Sequence, residues 1–289
     1  MKIKYLTVIV LLVMVLLLLG CGSSVPLKKT SYNFQTEVSE LKVKLLSNAP
    51  PEKIYPYSSF RMIMDLSNEA AYPITNGKIE IVGLDEKYFK LDRNRETFSS
   101  LEGRTALTPL GGQERIEFIG AAGQLFSNSE HYVGNYFLEI SYNSKLDFVD
   151  TVCLNSNAYD TFDAGCKSNN KKSYAGQGAP LAVASMEEII YPDTGNGGEV
   201  EFRLQIKNKG QGKVQNVTLV NSQLGGNKLV CSFSGKNEEK SLSFSDKQQE
   251  GTLICKGTIK EGTSYSTTLY LGFVYQYRWE QKQKLNLVK

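Results

Sequence analysis

Five cysteines and one histidine are the residues of this 289-residue chain with the most chemistry to offer. The single histidine, His131, provides no pair of imidazoles for a zinc site and only one candidate base for a catalytic triad. Four of the cysteines lie in the second half of the chain: Cys153, Cys166, Cys231 and Cys255. They have no Cys-x-x-Cys spacing and no histidine close in sequence, so disulfides are favoured over a zinc site or a catalytic thiol. We therefore expect no metal and no catalytic residue among them.

Three pairings of these four cysteines exist, and the strand pattern favours one of them. Cys231 and Cys255 each alternate with apolar residues, which predicts that both thiols lie on inward faces of neighbouring strands. A bridge between Cys153 and Cys166 would close a short polar loop. We predict the disulfides Cys153–Cys166 and Cys231–Cys255, which form in the oxidising conditions outside the cytoplasm.

The remaining cysteine, Cys21, follows the parts of a secretory leader. A basic start precedes an apolar run over residues 5–19, and this run ends in Leu18-Leu19-Gly20-Cys21. These four residues resemble the lipobox of exported lipoproteins, although Leu19 replaces the smaller residue that is more common there. The resemblance implies that Cys21 is lipidated and becomes the first residue of the mature chain. The alternative is an uncleaved signal anchor that leaves Cys21 at the membrane interface.

Either form of the leader predicts an exported protein held at the outer face of the cytoplasmic membrane or at the cell surface. Residues 1–20 are then the signal peptide or anchor, and residues 21–33 are a tether. The formal net charge of +3 falls to +1 when Lys2 and Lys4 leave with the leader, with 31 basic against 30 acidic residues remaining. A nearly neutral surface argues against nucleic acid as a partner and against attachment by a polybasic patch.

Short alternating segments between turn residues predict an all-β fold. The clearest segment is Glu199–Lys207, which places apolar residues on one face and polar residues on the other. The polar, glycine-bearing residues 167–178 read as a linker. We therefore predict two Ig-like β-sandwich domains, over residues 34–166 and 179–289.

The second predicted domain carries a resemblance to a known family. Residues 178–210 resemble CARDB-type Ig-like modules, in which a strand such as Val200–Lys207 is followed by a turn such as Asn208-Lys209-Gly210. Such modules occur in archaeal and bacterial cell-surface proteins, and a lipobox before tandem modules is similar to secreted archaeal lipoproteins. The resemblance implies an adhesive, scaffolding or envelope role, and it brings no catalytic residue or cofactor.

The acidic and histidine candidates are better explained by ordinary structure. Glu187 and Glu188 are strand neighbours that point to opposite faces, so they cannot act as a pair on one substrate. His131 is expected to be exposed in a loop. Four aspartates lack the order of a calcium loop, although a weak Ca²⁺ site remains the alternative for them; they are Asp147, Asp150, Asp160 and Asp163.

Two further patterns bear on recognition. Asn216-Val217-Thr218 is a glycosylation sequon on a predicted surface strand. Several aromatic residues near the C-terminus either anchor a partner or, as we favour, alternate between the core and the sheet face; they are Tyr265, Tyr270, Tyr275, Tyr277 and Trp279.

These patterns together predict a membrane-tethered, non-catalytic binding or structural protein of the cell envelope. Its expected partner is an envelope protein or a polysaccharide. The alternative is an accessory or ligand-recognition subunit of an envelope complex, such as a secretion, filament or exported-enzyme assembly. A solute receptor of the periplasmic type is disfavoured because alternating βα units are missing.

Overall fold

The computed structural model describes residues 33–126, 128–155, 166, 169–192, 198–235, 240–259 and 264–289. Within this part the chain is all-β and has no helix, as the alternating patterns predict. Accordingly, no helix among the described residues is long and apolar enough to cross a membrane. The predicted leader and Cys21 lie outside the described residues.

The strands of the first half are β1 (Leu41–Leu45), β2 (Ser59–Asn68), β3 (Thr75–Val82), β4 (Phe89–Leu91), β5 (Arg95–Phe98), β6 (Gln113–Ala122) and β7 (His131–Asn155). The strands of the second half are β8 (Lys171–Ser173), β9 (Leu181–Pro192), β10 (Gly198–Asn208), β11 (Lys213–Leu224), β12 (Asn227–Lys228), β13 (Val230–Phe233), β14 (Ser241–Leu242), β15 (Glu250–Ile259) and β16 (Ser264–Val288).

The strands form three antiparallel sheets. The four-stranded sheet has the order β1-β2-β6-β4, and the five-stranded sheet has the order β13-β15-β10-β9-β8. The seven-stranded sheet has the order β12-β11-β16-β7-β3-β5, with β14 paired to β11. This large sheet therefore takes strands from both halves of the chain.

The large sheet is built on β7 and β16, which pair over their whole length. The ladder runs from His131↔Val288 to Asn155↔Ser264 without a shift of register. Even-numbered residues of β7 are buried from Gly134 to Leu154 except for Asp150, which is partly buried, so one face of the strand is covered along nearly its whole length. Both smaller sheets consequently pack against this same face.

The contacts on that face identify which sheet covers which part. A Cβ atom added at Gly134 would lie 2.8 Å from the ring of Phe89 in the four-stranded sheet. At the other end of β7, Phe148 packs edge-on against Tyr174, which follows β8, with ring centroids 5.0 Å apart. The core is therefore a single layer of apolar side chains between the long sheet and the two shorter ones.

The two halves repeat one plan of strands. The order β1-β2-β6-β4 of the first half recurs as β9-β10-β15-β13 in the second, and each half adds its remaining long strands to the large sheet. Residues Asn33–Lys289 nevertheless form one compact unit. The prediction of two separate domains is not confirmed, because the last strand of each half pairs with the last strand of the other.

The described part of the predicted linker is closely packed. It contains β8, which pairs with β9, and the buried Gln177. The Gln177 amide donates to the Val183 carbonyl at 3.1 Å and accepts from the Val183 N–H at 2.9 Å. The Gly178 N–H donates to the Glu37 carbonyl at 2.5 Å. This hydrogen bond joins the segment before β1 to the segment between the two halves.

Candidate binding surfaces

The four later cysteines are joined as the strand pattern predicts. The S–S distance is 2.01 Å in Cys153–Cys166 and 2.12 Å in Cys231–Cys255. The second bridge links directly opposed residues of the neighbouring strands β13 and β15. Two disulfides are typical of proteins that mature outside the cytoplasm.

Asn216, the predicted glycosylation acceptor, lies exposed in β11 at an irregularity of the β11–β16 pairing. Its backbone φ is 50°, a conformation that asparagine tolerates better than most residues. The side-chain amide donates to Oε1 of Gln276 at 2.7 Å. The residue therefore has the exposure that a modified asparagine needs.

The described aspartates of the suggested calcium site have other partners. Asp147 accepts hydrogen bonds from Tyr270 and Lys145, and Asp150 accepts from Tyr174 and Lys172. Asp160 and Asp163 lie outside the described residues. Within the described part, no group of three or more histidine, cysteine, aspartate or glutamate side chains could hold a metal ion.

The remaining polar candidates lie apart from one another. Glu187 is exposed and Glu188 is buried, so the two carboxylates face opposite sides of β9. His131 is exposed, and it begins strand β7 where a loop was predicted. Its backbone pairs with Val288, because the C-terminal strand extends to this end of the ladder.

The C-terminal aromatic residues divide between the core and its margins. Tyr275 and Tyr277 are buried, whereas Tyr265, Tyr270 and Trp279 are partly buried. The Tyr277 hydroxyl donates to the Glu40 carboxylate and accepts from the Gly212 N–H. Burial, followed by the adjacent Glu40 carboxylate, raises the pKa of Tyr277 far above its ordinary value.

A cluster of aromatic residues that the sequence patterns did not single out lies where β7 begins. We define the aromatic end as the contacting rings of Tyr88, Phe126 and Tyr132, together with Tyr57, whose backbone is bonded to Ala122 near them. The rings of Tyr88 and Tyr132 are stacked at 3.8 Å between centroids, and Phe126 meets Tyr88 edge-on at 6.0 Å. Phe126 is 54% exposed, and the Lys87 ammonium lies 4.0 Å from the centroid of its ring.

Tyr57 is the most exposed member of the aromatic end. It is 74% exposed and has a backbone φ of 61°, which is rare for a bulky side chain. Its N–H donates to the Ala122 carbonyl at 3.1 Å, which fastens this turn to the strand that leads to Phe126. An exposed ring in a strained backbone contributes little to folding, and such strain is frequent at functional sites.

A second surface arises because the outer strands of the large sheet stop at its middle. On one side, β3 pairs with β7 only as far as Asn143, and on the other, β11 pairs with β16 only as far as Arg278. Next to both stopping points, Tyr142 and Tyr277 are paired, with ring centroids 5.3 Å apart. Over about half of its length, one edge of each long strand therefore has no neighbour among the described strands.

On β16 this free stretch is Trp279–Leu285, which we call the open edge. No described strand pairs with it on the side away from β7. Beyond it, the Asn286 carbonyl accepts from the Ile54 N–H and the Val288 N–H donates to the Ile54 carbonyl, both at 2.9 Å. Even-numbered residues here therefore point their main-chain groups away from β7. In the open edge these residues are Glu280, Lys282 and Lys284.

A groove of about 590 Å³ adjoins the open edge, and we call it the waist groove. It is lined by Val38–Val43, Glu69, Lys209–Gln211 and Trp279–Gln281. Strand β1, which forms one of its walls, is itself the outermost strand of the four-stranded sheet. The groove thus runs between two sheet edges.

No protein-family model matches this chain, and no curated protein does. The aromatic end and the open edge are the two surfaces of the described part that could recognise a partner. Sequence reasoning missed both, because the first joins residues 57 to 132 and the second depends on where strands stop; the Tyr55-Pro56-Tyr57 turn was the one local signal.

Proposed function

We propose that the chain is a non-catalytic binding protein of the cell envelope, exported and tethered through a lipid on Cys21 or through an uncleaved leader. Its two halves would be Ig-like sandwiches that present a binding surface to an envelope protein or polysaccharide. The leader sequence and the two disulfides support export. The CARDB-type resemblance of residues 178–210 supports a cell-surface role.

The aromatic end is the observation that carries the binding role. The ring of Tyr132 on β7 stacks with the ring of Tyr88, which directly precedes β4, and aromatic side chains are enriched where proteins bind their partners. Gly123, beside this surface, donates from its N–H to the Tyr88 carbonyl at 2.8 Å, so the loops that carry the rings are joined. A partner would therefore meet a surface that needs little ordering on binding.

Retention of envelope components by the full-length, detergent-solubilised chain tests this role. The protein fraction and the polysaccharide fraction of the source cells' envelope are applied separately to the immobilised chain. We expect one fraction to be retained, and Tyr57→Gly combined with Phe126→Ser to lower its retention by about tenfold, equivalent to about 1.4 kcal/mol. Glycine relieves the positive φ at position 57, so the loss would not be due to unfolding.

The matched control removes two exposed apolar residues from the second half. Val220 and Val230 are 61% and 77% exposed, and their replacement by serine should change retention by less than about twofold. Equal losses in both variants, or hydrolysis of the retained material by the chain, would contradict the proposed role.

The tether is tested by Cys21→Ser. This substitution should release the protein from the membrane fraction or leave the leader uncleaved, because serine cannot form the thioether of a lipidated cysteine. Fractionation and lipid labelling of the variant measure this. Lipid labelling equal to that of the unmodified chain would argue against Cys21 as the attachment site.

A second candidate function is an accessory subunit of an envelope complex, and the open edge favours it. A free strand edge is a ready acceptor for a strand from another protein, and subunits of several assemblies join in this way. The open edge lies beside the waist groove, which provides room for such a strand.

A further inference from the structure

The open edge offers a row of unused main-chain groups. Glu280, Lys282 and Lys284 point their N–H and C=O groups away from β7, and no described strand lies within reach of them on that side. A strand laid about 4.8 Å from this edge would pair with all three residues. Main-chain pairing of this kind provides affinity, and the adjacent side chains provide selectivity.

The inner side of the open edge faces the waist groove through Trp279. The indole is partly buried, and its N–H is enclosed without a hydrogen-bond partner among the described residues. Val43 of β1 lines the opposite wall. The inward side chains of an added strand would therefore meet an aromatic ring and a wall in which Val43 lies beside charged residues such as Lys42 and Glu69.

The outer side of the open edge selects by charge. Glu280, Lys282 and Lys284 are exposed on this face, and the two lysines, which outnumber the carboxylate, form no ion pair with another described residue. The neighbours of the two lysines across the ladder are the uncharged Phe137 and Asn135. Side chains of an added strand would stand about 5 Å from these lysines, where opposite charges attract and like charges repel.

We infer that the open edge binds an extended segment of a partner protein that carries acidic side chains at alternate positions. The inference rests on the second proposed function, in which this edge joins the chain to an assembly. The chain's own residues 22–32 are a poor occupant, because they contain Lys28 and Lys29 and no acidic residue.

Binding of short peptides to the full-length, detergent-solubilised chain tests the inference. The probe is the peptide Thr-Glu-Val-Glu-Val-Thr-Thr, whose two glutamates can stand opposite Lys282 and Lys284 with an uncharged residue opposite Glu280, compared with the same peptide in which lysine replaces each glutamate. We expect the acidic peptide to bind at least tenfold more tightly and to slow amide hydrogen exchange at residues 280, 282 and 284. Lys282→Glu combined with Lys284→Glu should reverse this preference.

The matched control variant replaces two lysines by glutamate outside the open edge, so that the net charge changes by the same amount. Lys240→Glu combined with Lys247→Glu alters two exposed lysines away from the open edge and should change the affinity less than about twofold. Lys282→Pro, which removes an outward N–H, should abolish the exchange protection.

The outcomes separate the inference from the function on which it rests. Tighter binding of the lysine peptide, lost in Lys282→Pro, would overturn the acidic partner and leave assembly through the edge intact. Binding of neither peptide at millimolar concentration would count against both. A dimer in light scattering, with these amides protected in the absence of peptide, would show that a second copy occupies the edge and would overturn the inference.

Discussion

Each of the two long strands has a half-edge that no described strand pairs with, and the two half-edges differ in what covers them. On β7 the stretch Lys145–Thr151, which we call the covered edge, receives side-chain donors. The Tyr72 hydroxyl donates to the Asp147 carbonyl at 2.9 Å, and the Lys172 ammonium donates to the Thr151 carbonyl at 2.6 Å. The open edge of β16 receives no such side chain from the described residues.

Side-chain donors such as Tyr72 and Lys172 can satisfy the main-chain groups of a free strand edge, and among the described residues they do so on β7 but not on the open edge of β16. Free edges promote unwanted pairing between proteins, and exposed lysines are a common protection. Lys282 and Lys284 are exposed on the open edge and leave its main-chain groups unoccupied. An edge guarded by charge remains available to a partner of opposite charge, whereas an edge closed by hydrogen bonds does not.

The largest expected effect is a difference in stability between proline substitutions on the two sides of β16. Gln281→Pro should lower the free energy of unfolding by about 3 kcal/mol or more, because the Gln281 N–H serves the ladder to Leu138. Lys282→Pro should cost less than about 1 kcal/mol, because that N–H faces outward. Urea unfolding of both variants measures this, and equal costs would mean that the open edge is not open.

The next largest effect concerns Tyr72, which donates to the covered edge of β7 and loses its proton at alkaline pH. Burial, more than any other cause, raises the pKa of Tyr72 to about 12 from its ordinary 10. Between those values the unfolded chain loses this proton and the folded chain keeps it, so stability present below pH 10 falls by about 1.4 kcal/mol per pH unit.

Tyr72→Phe isolates this contribution. Below pH 9 the variant should be about 1 kcal/mol less stable than the unmodified chain, because the hydrogen bond to Asp147 is lost. Above pH 10 the difference in the free energy of unfolding between the two proteins should become smaller and then change sign. Unfolding measured at pH 8, 10 and 11 decides this, and a constant gap would contradict the burial of this hydroxyl.

Lys172 tests the other donor on the covered edge. Its ammonium also pairs with Asp150 at 2.8 Å, and both side chains are about one-fifth exposed. Lys172→Ala should cost about 1 kcal/mol, whereas Lys207→Ala, which breaks the more exposed pair with Glu250, should cost less than about 0.5 kcal/mol. Faster amide exchange at residues 149–151 in the first variant alone would confirm that Lys172 covers the edge.

The smallest effect on stability is expected from the open edge. Lys282→Thr combined with Lys284→Val should change the free energy of unfolding by less than about 0.5 kcal/mol, since both side chains are exposed. The variant should nevertheless associate with rising concentration, because the charges that guard the edge are gone. Light scattering measures this, and a variant that remains monomeric would mean that the edge is protected in another way.

Alternation in the sequence predicted where strands lie but not how far they extend. The segment Glu199–Lys207 falls within β10, and the inward phase of Cys231 and Cys255 agrees with their bridge. By contrast, asparagine and serine favour turns, so Asn143-Ser144 locally indicates the end of a strand, yet β7 continues to Asn155. The preference of asparagine and serine for turns is weak compared with continuous pairing to β16 and the bond from Ser144 to the Pro73 carbonyl.

The candidate surfaces depend on such lengths. The aromatic end forms because loops from three places in the first half reach the start of β7, and the open edge forms because β11 starts opposite Arg278. Neither position is determined by local residue preference. Trp279 was noticed as an aromatic residue, but its place beside a free edge follows only from tertiary pairing.

The uninterrupted β7–β16 ladder also has a mechanical consequence. An antiparallel ladder of 25 residues on each strand is roughly 80 Å long, and it crosses from one half to the other without a hinge. Bending one half against the other would break several ladder hydrogen bonds at once. We therefore expect a force applied along the strands at the aromatic end to act as shear on the hydrogen bonds between β7 and β16.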